Sequence, residues 1–503
     1  MAALALGWLL TVSAAWADDK TPAREAAPSP TMELPARVET RHSIALAGRQ
    51  LDYRAIAETI GLTTLKGEPT ASLFTVSYLV DPPAGQQRPV AFVFNGGPGA
   101  ASVFLHLGAL GPRILDMPAD GSVPNPPFRL VDNPQTWLAF SDLVFVDPVG
   151  TGFSRGKGKE ENPDKPYMNV QGDLNSLGAV VRHWLTRHQR WGARVFLVGE
   201  SYGGLRAAAM SESVEKEDGV RVSGMVLISP ALDPQILHPD VTDLLAPAFE
   251  LPSFAASGAA LSGKADPAEA GVAAEHFALS DYLTGLAALK GIPAPGDPFI
   301  ARVAATIGLP EDVVRRARGQ IGARDFAHEL RRGQGQIVSL YDATVARGSA
   351  ADPWDDHAGD PVLDPAIAAY TAAFENYAAD ALGYHTEQPY YVLSHEVSRQ
   401  WNWDGARAGD NGLGVALSGL QNTLLAHPDT RLLIANGRYD LVTPYLGSRW
   451  LSDQLSIPAA ACERIRLRVY EGGHMMYMRP QSRAALASDA ADLFAPEAAT
   501  PRQ

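Results

Sequence analysis

The stretch RVFLVGESYGGLRAAAM, from Arg194 to Met210, constrains the chain more than any other. Arg194 to Val198 reads as a short buried strand, apolar with β-branched and aromatic residues. An Ala-rich helical segment begins at about Gly204. Between them lies Gly199-Glu200-Ser201-Tyr202-Gly203, a G-x-S-x-G turn joining strand to helix. The chemistry explains the residue types. A serine hydroxyl is a poor nucleophile at neutral pH and has to be lifted out of the backbone toward a base. The sharp turn that lifts it crowds its neighbours, so glycines stand on both sides.

The rest of the chain supplies the setting for such a turn. Short alternating runs between Arg41 and Val80 suggest an antiparallel opening to a sheet. Pro89–Phe94, Leu143–Val146, the elbow strand and Gly224–Ser229 read as further strands, separated by helical stretches at Ala101–Leu110 and Val170–Trp191. This alternation predicts a mostly parallel sheet with helices on both faces. From about Pro230 to Trp403 the pattern breaks into Ala-rich helical stretches split by Gly and Pro, such as Ile300–Ile307, Pro310–Ile321 and Pro365–Leu382. Strands resume at Arg431–Ala435 and Ile465–Tyr470. The expected organisation is a signal segment (1–17), a disordered leader (18–40), a first core part (41–230), a helical lid insertion (231–403) and a second core part (404–503).

Of 503 residues, 46% are hydrophobic and 19% charged, enough to bury a large core. The net charge of −14 argues against nucleic acid or an anionic membrane as partner. Ala2–Ala15 is apolar and Ala15-Trp16-Ala17 is a small-x-small cleavage site, so Met1–Ala17 reads as a secretory signal, although no Lys or Arg precedes it. Later apolar runs fall short of a membrane span. Export with Cys462 as the single cysteine leaves no internal disulfide and favours a bacterial periplasmic or secreted protein.

An activated serine needs a base and an acid to orient it, in the chain order Ser, then Asp or Glu, then His. Asp440 follows the strand ending at Ala435, and His474, the only histidine after Asp440, follows the strand ending at Tyr470. Both fall at carboxyl ends of strands, where open α/β sheets place their sites. Taken singly, Asp440 reads equally as a turn cap and His474 as an exposed histidine; it is the combination with Ser201 that points to a triad. Attack on a carbonyl also creates an oxyanion that needs preorganised donors. The Tyr202 N–H is one, and the glycine-rich loop Asn95-Gly96-Gly97-Pro98-Gly99 is a fitting source of the other.

FNGGPGAAS at 94–102, DPVGTGFS at 147–154, VGESYGG at 198–204, NGRYDLVTP at 436–444 and EGGHM at 471–475 together resemble the serine carboxypeptidases of the S10 type, in family order. The resemblance implies an α/β-hydrolase fold with a lid and removal of single residues from peptide C-termini. By position it implies Ser201 as nucleophile, His474 as general base and then acid, and Asp440 as its partner. The Gly97 and Tyr202 amides would form the oxyanion hole. Asn95 and Glu200 would bind the free carboxylate of the substrate, two acids sharing a proton, which implies a preference for acid pH. Three positions depart from the family pattern. Val93 stands where Trp is usual, Ala100 where Cys is usual, and Ala109 where a second Glu commonly precedes Leu-Gly-Pro. Losing that carboxyl neighbour removes one cause of a raised pKa on Glu200.

No cofactor or metal is expected. GTGFSRGKGK at 150–159 fails the phosphate-loop spacing, and Asp352, Asp355, Asp356, His357 and Asp360 lack the ligand spacing of a calcium loop. His395 and Glu396 are isolated and read as structural. Two other functions stay open on the residues alone: an esterase or acyltransferase on the same scaffold, and a binding protein that keeps the fold without turnover. Side-chain preference and oligomeric state have no readable motif.

Overall fold

Alternation of side chains along the central strands builds the molecule. In Val90–Phe94, Ala91 and Val93 enter the hydrophobic cluster on one face of the sheet, while Val90, Phe92 and Phe94 enter the cluster on the other. The elbow strand does the same, with Phe196 and Val198 on the first side and Val195 and Leu197 on the second. A strand apolar on both faces has to be covered on both, and parallel strands meet that need through crossover helices. The computed structural model describes residues 34–83, 86–237, 242–348, 359–406 and 414–496. The expected signal segment, residues 18–33 of the expected leader, and Asp352, Asp355, Asp356 and His357 lie outside the described residues.

The main sheet runs through β1 (Arg37–Leu46), β2 (Arg49–Thr63), β3 (Pro69–Leu79), β4 (Val90–Phe94), β5 (Asp142–Val146), β6 (Val195–Glu200), β7 (Val222–Ile228), β8 (Arg431–Gly437) and β9 (Ile465–Tyr470). Its spatial order is β1-β2-β3-β5-β4-β6-β7-β8-β9. The β1–β2, β2–β3 and β3–β5 pairs are antiparallel, and every pair from β5–β4 to β8–β9 is parallel. β1 takes in residues 37–40, which the sequence reading assigned to the leader. With the strand–serine–helix turn at its centre, this is the α/β-hydrolase fold.

Helices α1 (Val170–Arg187), α2 (Tyr202–Asp218) and α5 (Val415–Ala426) bury their apolar residues in one cluster. Helices α4 (Leu363–Asp380) and α6 (Pro480–Phe494) cover the opposite face, where Phe494 stacks on Phe196 with centroids 3.8 Å apart. Between β7 and β8 the chain forms helices, among them α3 (Leu245–Ser262), and one two-stranded hairpin outside the main sheet. Several of these helices share a third cluster that includes Phe249, Phe254 and Phe326 and reaches Tyr439 and Leu441 beside the site. The stretch Ala101–Leu110, expected as one helix, is a short α-turn (Val103–Leu105) running into a π-helical turn (His106–Leu110). Among the described residues, no helix is long and apolar enough to cross a membrane.

Candidate active site

Ser201 stands between β6 and α2 with φ 59° and ψ −126°, a left-handed conformation that costs a non-glycine residue on the order of 1–3 kcal/mol. The fold holds it there. The Ser201 N–H donates to the Ile228 carbonyl at 2.9 Å, and the Ser201 carbonyl accepts from Gly204 and Ala231. The glycines of the motif are steric necessities. A Cβ on Gly199 would come within 1.8 Å of the Gly203 carbonyl oxygen, and one on Gly203 within 2.4 Å of the Phe94 oxygen.

His474 and Asp440 arrive from the ends of β9 and β8. The tight Glu471-Gly472-Gly473 turn brings the imidazole in; a Cβ on Gly473 would sit 1.8 Å from the Tyr341 carbonyl oxygen. His474 Nδ1 lies 2.9 Å from Asp440 Oδ2, and both side chains are buried. The other carboxylate oxygen of Asp440 accepts the backbone N–H groups of Val442 and Thr443 at 2.8 and 2.9 Å, which fixes its plane. Thr443 Oγ1 lies 2.7 Å from Asp440 Oδ2 and 2.9 Å from the Ser229 carbonyl, its single proton serving one acceptor at a time. Burial works against the imidazolium form of His474. The charge and hydrogen bond of Asp440, aided by Glu200, outweigh it and hold the ring above the ordinary histidine value.

Ser201, His474, Glu200, Gly97 and Tyr202 line one cavity of about 670 Å³. Among the described residues, Ser201 Oγ forms no hydrogen bond to His474, although the two line the same cavity. Gly97 has φ 98°, and Gly96 packs so closely on the elbow that a Cβ there would sit 2.5 Å from the Tyr202 nitrogen. The amides of Tyr202 and of the Gly96-Gly97 loop thus come from adjoining pieces of backbone. That loop is anchored from beneath. Arg206, buried on α2, forms a two-pronged pair with Asp173 of α1 at 2.7 and 3.2 Å and donates to the Asn95 carbonyl. Ser102, on the far side of the loop, donates its N–H and hydroxyl to Asp147 at 2.9 and 2.7 Å.

The two further residues of the expected site meet behind Ser201. Asn95 Nδ2 donates to Glu200 Oε2 at 2.8 Å, while Asn95 Oδ1 accepts from the Leu105 N–H at 3.0 Å. Burial raises the Glu200 carboxyl above the usual range, against the opposing effects of His474 and Asn95.

Residues 55–248, which carry the Asn95–Gly99 loop and the elbow, match the serine carboxypeptidase family. Over this segment the chain is similar to that family. Its curated relatives include serine carboxypeptidase-like 2 of Arabidopsis thaliana, 29% identical over 157 residues that cover 29% of this chain and 34% of that protein. Carboxypeptidase sxa2 of Schizosaccharomyces pombe (strain 972 / ATCC 24843) is 27% identical over 136 residues, covering 26% of this chain and 24% of that protein. The matched stretch thus spans about a third or less of these relatives. Among solved structures, VinJ aligns at TM-score 0.37 with 14% identity over 87% of this chain and 99% of that one. Esterase E22 aligns at TM-score 0.37 with 13% identity over 91% and 100%. Likenesses of that size do not bear on function.

Against the serine carboxypeptidase motifs, several neighbours of the site carried no signal in the sequence. Thr443 belongs to the NGRYDLVTP block, but only the coordinates reveal its position beside both Asp440 and His474. Tyr341 packs its ring edge-on to His474, with centroids 5.2 Å apart, and Trp403 lines the cavity and meets Tyr202 edge-on at 5.4 Å. Both come from the helical stretch between β7 and β8, which has no motif to announce them. Among the described residues, no group of His, Cys, Asp or Glu is arranged to hold a metal ion.

Proposed function

We propose that the protein is a serine carboxypeptidase that removes the C-terminal residue of peptides through an acyl-enzyme at Ser201. The observation that carries this reading is that Ser201, in the raised conformation of an elbow, shares a cavity with His474, whose far nitrogen is held by buried Asp440. As Ser201 Oγ bonds to the scissile carbonyl carbon, its proton passes to His474 Nε2 and the carbonyl oxygen becomes an oxyanion facing the Gly97 and Tyr202 amides. Collapse breaks the C–N bond, and His474 gives the proton to the departing amine. Water then repeats the sequence on the ester, with His474 first as base and then as acid.

The choice of the last bond falls to Asn95 and Glu200. Burial raises the Glu200 carboxyl, so on the acid side of its titration it holds a proton and can donate a hydrogen bond to the substrate carboxylate, where the ionised form would repel it. The helical stretch 231–403 acts as a lid over the cavity, with 41–230 and 404–503 as the two parts of the core. Met1–Ala17 supports export to a periplasm or the medium.

A second reading, esterase or acyltransferase chemistry on the same triad, is favoured by Ala109, which leaves Glu200 without a second carboxyl partner from that position. Hydrolysis of N-blocked dipeptides between pH 4 and 8, with Ser201→Ala as control, separates the two. Release of the last amino acid supports the carboxypeptidase, whereas cleavage of simple esters alone supports the alternative.

A further inference from the structure

One carboxyl group in the cavity has no part in this chemistry. Glu250, on α3 of the helical stretch, faces the same space as Ser201, Glu200 and His474. It accepts the backbone N–H of Ala323, and the side-chain charge that acts on it is that of Asp325, which has the same sign. Among the described residues, no cation forms an ion pair with it, although Arg187, Arg206 and Arg449 elsewhere are each paired to an acid. Burial, with Asp325 adding to it, pushes the Glu250 carboxyl up to about 8. A carboxyl largely withdrawn from water and without a counter-charge is held in its neutral form, and a cation brought beside it favours the ionised form.

The remaining charges of the cavity do not meet that need. Glu200 is committed to Asn95. Arg324 also lines the cavity, but it is exposed and, among the described residues, forms no ion pair with Glu250. The other walls include Phe104, Leu363, Leu393 and Trp403, apolar surface on which a long aliphatic stem can lie while its charged end finds an acid.

We propose that Glu250 is a specificity-determining residue that binds a cationic group of the substrate, the ammonium of a lysyl or the guanidinium of an arginyl side chain beside the scissile bond. This inference rests on the reading of the reaction given above. It assigns the cavity an electrostatic selectivity that the triad does not supply.

The test compares lysine with norleucine, which keeps the stem and lacks the charge, on either side of the scissile bond of N-blocked dipeptides. In the wild type, kcat/KM favours lysine in at least one of the two positions. Glu250→Gln lowers that lysine-to-norleucine ratio at least tenfold through KM, and Glu250→Arg drives it below one. A ratio is read within one protein sample, so a partly misfolded variant does not distort it. A second measurement needs no turnover: Kd for the same two dipeptides in Ser201→Ala and in Ser201→Ala/Glu250→Gln. The preference for lysine is present in the first and lost in the second. A ratio unchanged by Glu250→Gln in both measurements overturns the proposal. Failure of the wild type to cleave any peptide, with the binding preference intact, instead overturns the reading of the reaction and leaves this one standing.

Discussion

Glu200 joins the two halves of the site: its Oε2 accepts from Asn95 Nδ2 at 2.8 Å, and its Oε1 lies 3.7 Å from His474 Nε2. The group proposed to read the substrate carboxylate is therefore also a neighbour of the proposed base. The two have opposed needs, since Glu200 must hold a proton to bind an acid and His474 must lack one to accept from Ser201. Burial raises the first, and Asp440 with Glu200 overcomes burial to raise the second.

The pH dependence follows from that opposition. As pH rises through the Glu200 titration, kcat/KM falls for free-acid dipeptides but not for the matching amides or esters, which need no proton there. Glu200→Gln keeps a donor at every pH and flattens that alkaline limb. It also removes a negative charge that raises His474, so the acid limb for ester substrates moves to lower pH. Parallel pH profiles of the two proteins on acid and ester substrates measure both effects. An acid limb that stays in place contradicts the coupling.

Asp440→Asn presents the wrong face of an amide to His474 Nδ1 and lowers kcat by on the order of 10³–10⁴ with little change in KM. Thr443→Val leaves the triad atoms in place but removes the hydroxyl beside Asp440 and His474, with an expected loss of about tenfold. Single-turnover acylation rates separate these from effects on product release.

Arg206→Met leaves Asp173 buried without its partner and strips the donor from the Asn95 carbonyl. The first effect destabilises the fold by about 3–5 kcal/mol. Arg206→Met/Asp173→Leu removes both charges and regains most of that stability. It does not regain kcat, because the Asn95–Gly99 loop has still lost its anchor. Urea unfolding and kcat, measured on the same three proteins, make the comparison. Recovery of both together would assign the pair a purely structural role.

The motifs of the site were legible because each is a steric or chemical necessity at one place. Gly199 and Gly203 are dictated by contacts that a Cβ would violate, and Asp440 and His474 follow the ends of the paired strands β8 and β9, which brings their side chains together. Strand alternation likewise revealed the sheet, since Val90 and Ala91 must both be apolar when each faces a different cluster. What escaped lies between β7 and β8. Tyr341, Glu250 and Trp403 reach the cavity from helices and loops whose packing is set by the third cluster, and nothing in an Ala-rich helical pattern distinguishes a residue facing the cavity from one facing that cluster. The π-helical turn at His106–Leu110 escaped for a similar reason: its periodicity over so few residues is that of any short helix.

Glu250 also predicts a stability effect. Its carboxyl sits near 8 in the fold, against an ordinary value of 4.5. The protonated form is thus favoured by folding, and the associated stability is full below about 4.5 and lost as pH rises toward 8. Glu250→Gln is neutral throughout, so it gains on the wild type with rising pH, by about 1–2 kcal/mol at pH 8 after allowing for the partial exposure of the group. Thermal unfolding of both proteins at pH 5 and pH 8 tests this. A gap that does not widen with pH contradicts it.

The most direct test of the central claim is the rate of C-terminal residue release from an N-blocked dipeptide acid, set against the same dipeptide as its C-terminal amide. The account predicts release from the acid, at least tenfold slower turnover of the amide, and no activity above background in Ser201→Ala. Equal rates on acid and amide, or release that persists in Ser201→Ala, would contradict it.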